Sequence, residues 1–171
     1  MAHNDVDPAM PPRWYIGAVV LMRNLHGDVL MVKPADRNAD EKRGWQLPGG
    51  SVERNEAVTK VGRRELREET GVERHIAHLL MVDQVTLDGD GASAEGITFV
   101  LDGGTLDNHV AAAVSLPESA VGRLSAVKWV PSGQLDDHAI PHHAARVRAA
   151  ARAHDFGMRL PLHQLGEIAE V

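Results

Sequence analysis

Three glutamates, Glu65, Glu68 and Glu69, are the side chains of this 171-residue chain whose type and spacing most directly suggest chemistry. Stepped at 100° per residue, they share one face of a helical wheel within about 100°. Val58, Gly62 and Leu66 lie beside them, and Lys60, Arg63, Arg64 and Arg67 occupy the far side. The carboxylates therefore continue the packing side of the helix and not its solvated back. Like charges at i,i+3 and i,i+4 repel by a few tenths of a kcal/mol per pair, and carboxylates in a last turn oppose the macrodipole by about 0.3–1 kcal/mol each. Two arrangements would relieve this: a solvated acidic face paired with the adjacent arginines, or a bound divalent cation. Oxygen-only ligation, with no Cys in the chain and no His nearby, selects a hard ion, magnesium or manganese.

Such a cluster needs a helix with defined ends and a sheet to lie on. Asn55 reads as the N-cap, Glu56 falls in the first turn, and Gly71 reads as the C-terminal stop, which predicts a helix over Glu56 to Thr70. Upstream, the run from Tyr15 to Met22 has no polar member and reads as a strand buried on both faces. A turn at Asn24 to Asp28 leads to Val29–Val32, which completes a hairpin. Pro34 to Gly44 is a charged loop carrying Arg37, Lys42 and Arg43, and Trp45-Gln46-Leu47 is a short extended piece stopped by Pro48-Gly49-Gly50. Further strands are expected at His78–Val85, Ile97–Leu101, Val110–Val114 and Val127–Val130, with a turn at Asp88-Gly89-Asp90-Gly91. A second amphipathic helix is expected from His142 to His154, opening after Pro141. Strands on either side of a central helix, plus a late helix, indicate an α/β protein with a mixed sheet covered on both faces. Gly62 inside the first helix costs about 1 kcal/mol against Ala and marks close packing against that sheet.

Composition narrows the partners. The chain has 24 Asp and Glu against 18 Lys and Arg, 10 His, no Cys and a formal net charge of -6. One domain with a real core suits this length, and the absence of Cys removes disulfides, thiolate metal sites and cysteine nucleophiles. With few aromatics and an acidic balance, a nucleic-acid strand is not the expected ligand. No apolar run approaches the roughly 20 residues of a membrane span, and Met1 to Pro12 lacks the pattern of a signal peptide, so the cytoplasm is the expected compartment and no membrane partner is expected.

Gly50, five residues, Glu56, seven residues, then Arg64-Glu65-Leu66-Arg67-Glu68-Glu69-Thr70-Gly71-Val72 resembles the Nudix box of the MutT-like hydrolases at every fixed position. Chance would produce such a match about once in ten million chains of this kind. The resemblance covers residues 13–155, with 1–12 and 156–171 as N- and C-terminal tails. It implies a Nudix-type α/β/α sandwich with a mixed central β-sheet. It also implies cleavage of the pyrophosphate bond of a nucleoside diphosphate linked to another moiety, by in-line attack of a metal-activated water. By the same resemblance Gly50, Glu65, Glu68 and Glu69 hold magnesium or manganese, with Glu68 and Glu69 as principal ligands. Glu65 is ligand, general base or both, Arg64 orients the catalytic glutamate, and Glu56 braces the loop.

Arg37, Arg43 and Trp45 are the candidates for substrate contact, through phosphate for the arginines and base stacking for the indole, with a solvated loop and a structural tryptophan as the alternatives. Family members often draw a further carboxylate from just before the late aromatic strand. Here Arg123 to Lys128, ahead of Trp129, contain none, and Glu95, Asp102 and Glu118 are substitutes out of register. Markers of the ADP-ribose, diadenosine polyphosphate and coenzyme A subfamilies are absent, which leaves a MutT-like nucleoside triphosphate or a nucleotide sugar as the expected small-molecule substrate. A homodimer is the assembly implied by relatives. The rival reading is a nucleotide-sensing protein of the same fold that binds without turnover.

Overall fold

In the computed structural model, which describes residues 14–35, 42–86 and 95–168, the apolar run after Trp14 forms β1 (Tyr15–Asn24). Successive side chains of a strand point to opposite faces, and β1 feeds two cores: Ala18, Val20 and Met22 join one, Val19 and Leu21 the other. Its middle is therefore buried on both faces, as its uninterrupted apolar character predicts. The turn after it is fixed by Asn24, whose carboxamide oxygen accepts the amides of His26 and Asp28 at 2.9 and 3.0 Å. β2 (Val29–Pro34) returns antiparallel, completing the expected hairpin.

Gly49 and Gly50 do not end an extended piece, as the sequence reading has it. With Ser51 they form β3 (Gly49–Ser51), antiparallel to β1 with Ala18 opposite Gly50. Next comes α1 (Val58–Thr70), which begins later than expected: Ala57 is its N-terminal cap residue and makes no side-chain capping bond. Asn55 instead sits at φ 65°, a left-handed turn that Asn tolerates, so the chain bends there and Glu56 precedes the helix. The other end is as expected, with Gly71 at φ 72° and its amide bonded to the Arg67 carbonyl at 2.9 Å.

β4 (His78–Val85) and β5 (Gly96–Leu106) follow. The predicted turn at Asp88–Gly91 lies outside the described residues. The strand expected at Val110–Val114 is a helix, α2 (Asn108–Ala113). Asp107 caps it by accepting the Val110 amide at 2.9 Å, and three successive alanines favour helix over strand. A single 3₁₀ turn at Glu118–Ala120 leads to β6 (Leu124–Val130). Then come the short α3 (Leu135–His138) and α4 (Pro141–Asp155), the latter opening with Pro at its first turn as predicted.

Strand order is β6-β2-β1-β5-β4, with β1 and β5 parallel and the other pairs antiparallel. The sheet is therefore mixed. α1 covers one face through Val61 and Leu66 against Val20, Leu101 and Ile76, and α4 covers the other through Ala144, Val147, Ala150 and Ala153 against Leu21, Met31 and Val100. This is the expected α/β/α sandwich. Within residues 156–171, β7 (Leu160–Pro161) extends the sheet by pairing with β4, and β8 (His163–Gln164) and β9 (Glu167–Ile168) make a small hairpin. No helix among the described residues is long and apolar enough to cross a membrane.

Candidate active site

Close approach of α1 to the sheet builds the site. A Cβ on Gly62 would lie 2.4 Å from Leu101 Cδ1 and 3.2 Å from Val20 Cγ2, so glycine lets the helix lie this near without displacing the buried Leu101 side chain. Three residues further along, Glu65 reaches β3: a Cβ on Gly50 would lie 2.6 Å from Glu65 Oε1. The space Gly50 leaves open is thus taken by a carboxylate. One turn on, Glu69 turns inward and accepts the Gly49 amide at 3.0 Å. The two glycines and the two glutamates interlock strand and helix.

Glu65 and Glu69 are buried, whereas the Glu68 side chain is 37% exposed. Burial pushes the Glu69 carboxyl up to about 7, against the partial relief of the Gly49 hydrogen bond, and the neighbouring Glu65 adds to the rise. Around this cluster stand two guanidinium groups. Arg64 forks onto Glu56, Nε to Oε1 at 2.9 Å and Nη2 to Oε2 at 3.2 Å, and its Nη1 donates to Glu65 Oε1 at 2.6 Å. The fork holds the Glu56 carboxyl below its ordinary value, and Glu56 also accepts the Glu53 amide at 3.4 Å. Glu56 fixes Arg64, and Arg64 in turn fixes Glu65. Arg123, between the 3₁₀ turn and β6, places Nη1 3.5 Å from Glu68 Oε2 and 3.8 Å from Glu65 Oε2.

A cavity of about 340 Å³ opens beside Glu69, bordered by Pro34, Gln46, Gly122, Arg123 and Leu124. Of the residues expected from sequence, Gly50, Arg64, Glu65, Glu68 and Glu69 come together here. Trp45 is buried, with Lys128 Nζ 4.4 Å from its ring centroid and His138 edge-on, so its face is covered by protein. Arg43 is exposed on the turn before Gly44, and Arg37 lies outside the described residues. Asp102, one of the substitute carboxylates, is engaged by Arg159 and by the Gly104 amide, and Glu118 is exposed on the 3₁₀ turn. Arg123 is not among the residues expected from sequence, since a lone arginine in a loop carries no pattern that marks it.

A family model described as the NUDIX domain matches residues 13–152. The chain belongs to the Nudix family. Nudix proteins are generally hydrolases of pyrophosphate bonds that use divalent metals. A Caenorhabditis elegans protein named as a nudix hydrolase is 34% identical over 68 residues, 39% of this chain, and the match spans only 18% of that relative's length. Among solved structures, the MutT protein of Methanosarcina mazei shares 23% identity with a TM-score of 0.63, covering 86% of this chain and 98% of that one. The NUDIX domain of Shewanella oneidensis NrtR, solved with ADP ribose, shares 19% with a TM-score of 0.64 over 86% and 93% of the two chains. These likenesses concern the fold.

The donor chemistry suits a hard divalent ion: carboxylate oxygens from Glu65, Glu68 and Glu69 beside a backbone strand, in a chain without Cys. Among the described residues no three acidic or histidine side chains are already gathered as a metal cage. Arg64 and Arg123 each bridge Glu65 and Glu68, so the charges that a cation would balance are balanced by guanidinium.

Proposed function

We propose that the protein is a pyrophosphohydrolase that cleaves a nucleoside diphosphate linked to another group, with a nucleoside triphosphate or nucleotide sugar as substrate and magnesium, or manganese, as cofactor. The observation that carries this reading is the chain Glu56–Arg64–Glu65 beside Gly50, with Glu69 buried behind it. A purely structural ion pair has no use for a carboxylate pushed into a strand gap and oriented by a braced arginine. Glu65, Glu68 and Glu69, with the Gly50 carbonyl, would hold the ion, which when bound neutralises phosphoryl charge and acidifies water.

Arg64 holds Glu65 aimed, which suits a ligand or a proton acceptor equally. Glu69, with its pKa pushed up to about 7, is only about half ionised at pH 7, and a bound cation would favour its charged form. Arg123 to Lys128 offer no acid, Asp102 is engaged by Arg159 and Glu118 is exposed on the 3₁₀ turn, which supports a box glutamate, Glu65 foremost, as the base.

The test is chromatographic detection of the nucleotide product, a nucleoside monophosphate for the simple substrates, from a panel of nucleoside triphosphates, oxidised nucleotides, nucleotide sugars, ADP-ribose and dinucleoside polyphosphates, with magnesium, manganese or EDTA. Turnover on one class that EDTA abolishes is the expected result. Nucleotide binding with no turnover on any member would favour the sensing protein and overturn the hydrolase.

A further inference from the structure

We infer that Arg123 is a stand-in cation: it holds Glu65 and Glu68 in the metal-free protein, yields them to the divalent ion, and then binds a phosphate of the substrate. This rests on the hydrolase reading above and assigns a substrate-binding residue that the box does not contain.

The two arginines at the carboxylates are built differently. Arg64 is locked by three hydrogen bonds of 2.6 to 3.2 Å and belongs to the helix itself. Arg123 reaches the same two glutamates only at 3.5 and 3.8 Å, and its side chain is 50% exposed. Pairs of this length and exposure are weak and easily exchanged. Its root, however, is fixed. The Arg123 amide donates to the Ala120 carbonyl at 3.1 Å, and its own carbonyl accepts the Ala35 amide at 3.0 Å. Gly122, at φ 94°, supplies the left-handed residue that turns the chain into β6. A rigid backbone thus carries a guanidinium with freedom only in its side chain.

That side chain pairs with Glu65 and Glu68, and together with Glu69 it also borders the 340 Å³ cavity. A divalent ion on the carboxylates removes the attraction that holds Arg123 there. A phosphate in the cavity offers a planar fork a bidentate, charge-assisted partner, stronger than a pair at 3.5 Å. Exchange keeps Arg123 opposite an anion in both states, Glu65 and Glu68 before and phosphate after. Arg123 also stands where a further acid was sought, so this loop contributes a phosphate contact in place of a base.

The experiment titrates Mn²⁺ by EPR into full-length wild type, Arg123→Ala, Arg123→Lys and Arg63→Ala without nucleotide, then measures binding of a non-hydrolysable nucleoside triphosphate analogue at saturating Mn²⁺. Arg63 is exposed on the opposite face of α1, and its substitution controls for the change in net charge. Arg123→Ala is expected to bind Mn²⁺ about threefold to tenfold tighter, since its competitor is gone. The same variant should lose the analogue by about tenfold or more, with partial recovery in Arg123→Lys and no change in Arg63→Ala. Unchanged or weaker Mn²⁺ binding in Arg123→Ala, or full retention of the analogue, overturns the inference alone. Wild type that binds no Mn²⁺ overturns the hydrolase reading beneath it.

Discussion

Replacing Glu69 by Gln should make the metal-free protein more stable at neutral pH. The Glu69 carboxyl ionises at about 7 in the native protein against 4.5 ordinarily, chiefly because it is buried. Between those values the folded chain keeps a proton that the unfolded chain has released, so stability falls as pH rises through this window. The full penalty is reached above pH 7 and amounts to about 3 kcal/mol. Gln has the same shape, retains an oxygen for the Gly49 amide, and carries no charge to desolvate. Glu56 works in the opposite direction, since its lowered pKa gives stability that is lost on acidification, but that loss falls below the Glu69 window. Urea denaturation in EDTA at pH 5, 6, 7 and 8 separates the effects. The advantage of Glu69→Gln over wild type should widen by about 2 to 3 kcal/mol from pH 5 to pH 8. Saturating magnesium should then restore wild type, because a ligand that binds only the native state stabilises it. A gap that stays constant across this range would refute the reasoning.

Gly62→Ala gains about 1 kcal/mol of helix propensity but drives a methyl to 2.4 Å from Leu101 Cδ1, where overpacking costs about 1–3 kcal/mol. A net loss is expected, read as a lower urea midpoint. Arg64→Ala strips Glu56 of its fork and Glu65 of its Nη1 hydrogen bond and should lower kcat about 10- to 100-fold with KM little changed, in steady-state kinetics on the substrate the screen identifies. Lys at this position should restore little, because one ammonium cannot span both carboxylates. Arg159→Ala leaves Asp102, 7% exposed, with only the Gly104 amide, and should cost about 2 kcal/mol by thermal or urea unfolding.

Where the sequence was informative, local physics dominated. β4 starts and stops at the predicted residues, and α4 opens at its proline, since periodicity and the fixed φ of Pro act without tertiary help. The box glutamates were legible because helical spacing alone puts them on the packing face. Errors arose where a distant partner decided. Glu56 suits a helix first turn, but Arg64 draws its carboxylate away and Asn55 turns the chain before the helix begins. Gly49 and Gly50 carry a turn composition, yet their pairing with β1 makes them a strand. The parallel register of β1 and β5, such as Val20 with Leu101, leaves no trace in either segment alone. Arg123 was invisible for another reason: a single arginine in a loop has no pattern, and only the fold brings it to Glu65 and Glu68.

Gly49 has a consequence for how mutational data on this chain are interpreted. Its φ is 150°, and any Cβ there would stand 2.2 Å from the Ala18 carbonyl oxygen and 2.6 Å from Val19 Cα, both atoms of a central strand that has no room to retreat. Every substitution is therefore rejected by backbone atoms before any substrate is involved. A saturation library sorted only for folded, expressed protein would already empty this position, whereas Glu68, partly exposed and hydrogen-bonded to nothing in the strand, would tolerate exchange in that sort and fail only when turnover is selected. On the proposed function the box would mix sites answerable to assembly with sites answerable to catalysis, and the two selections applied in parallel would separate them residue by residue.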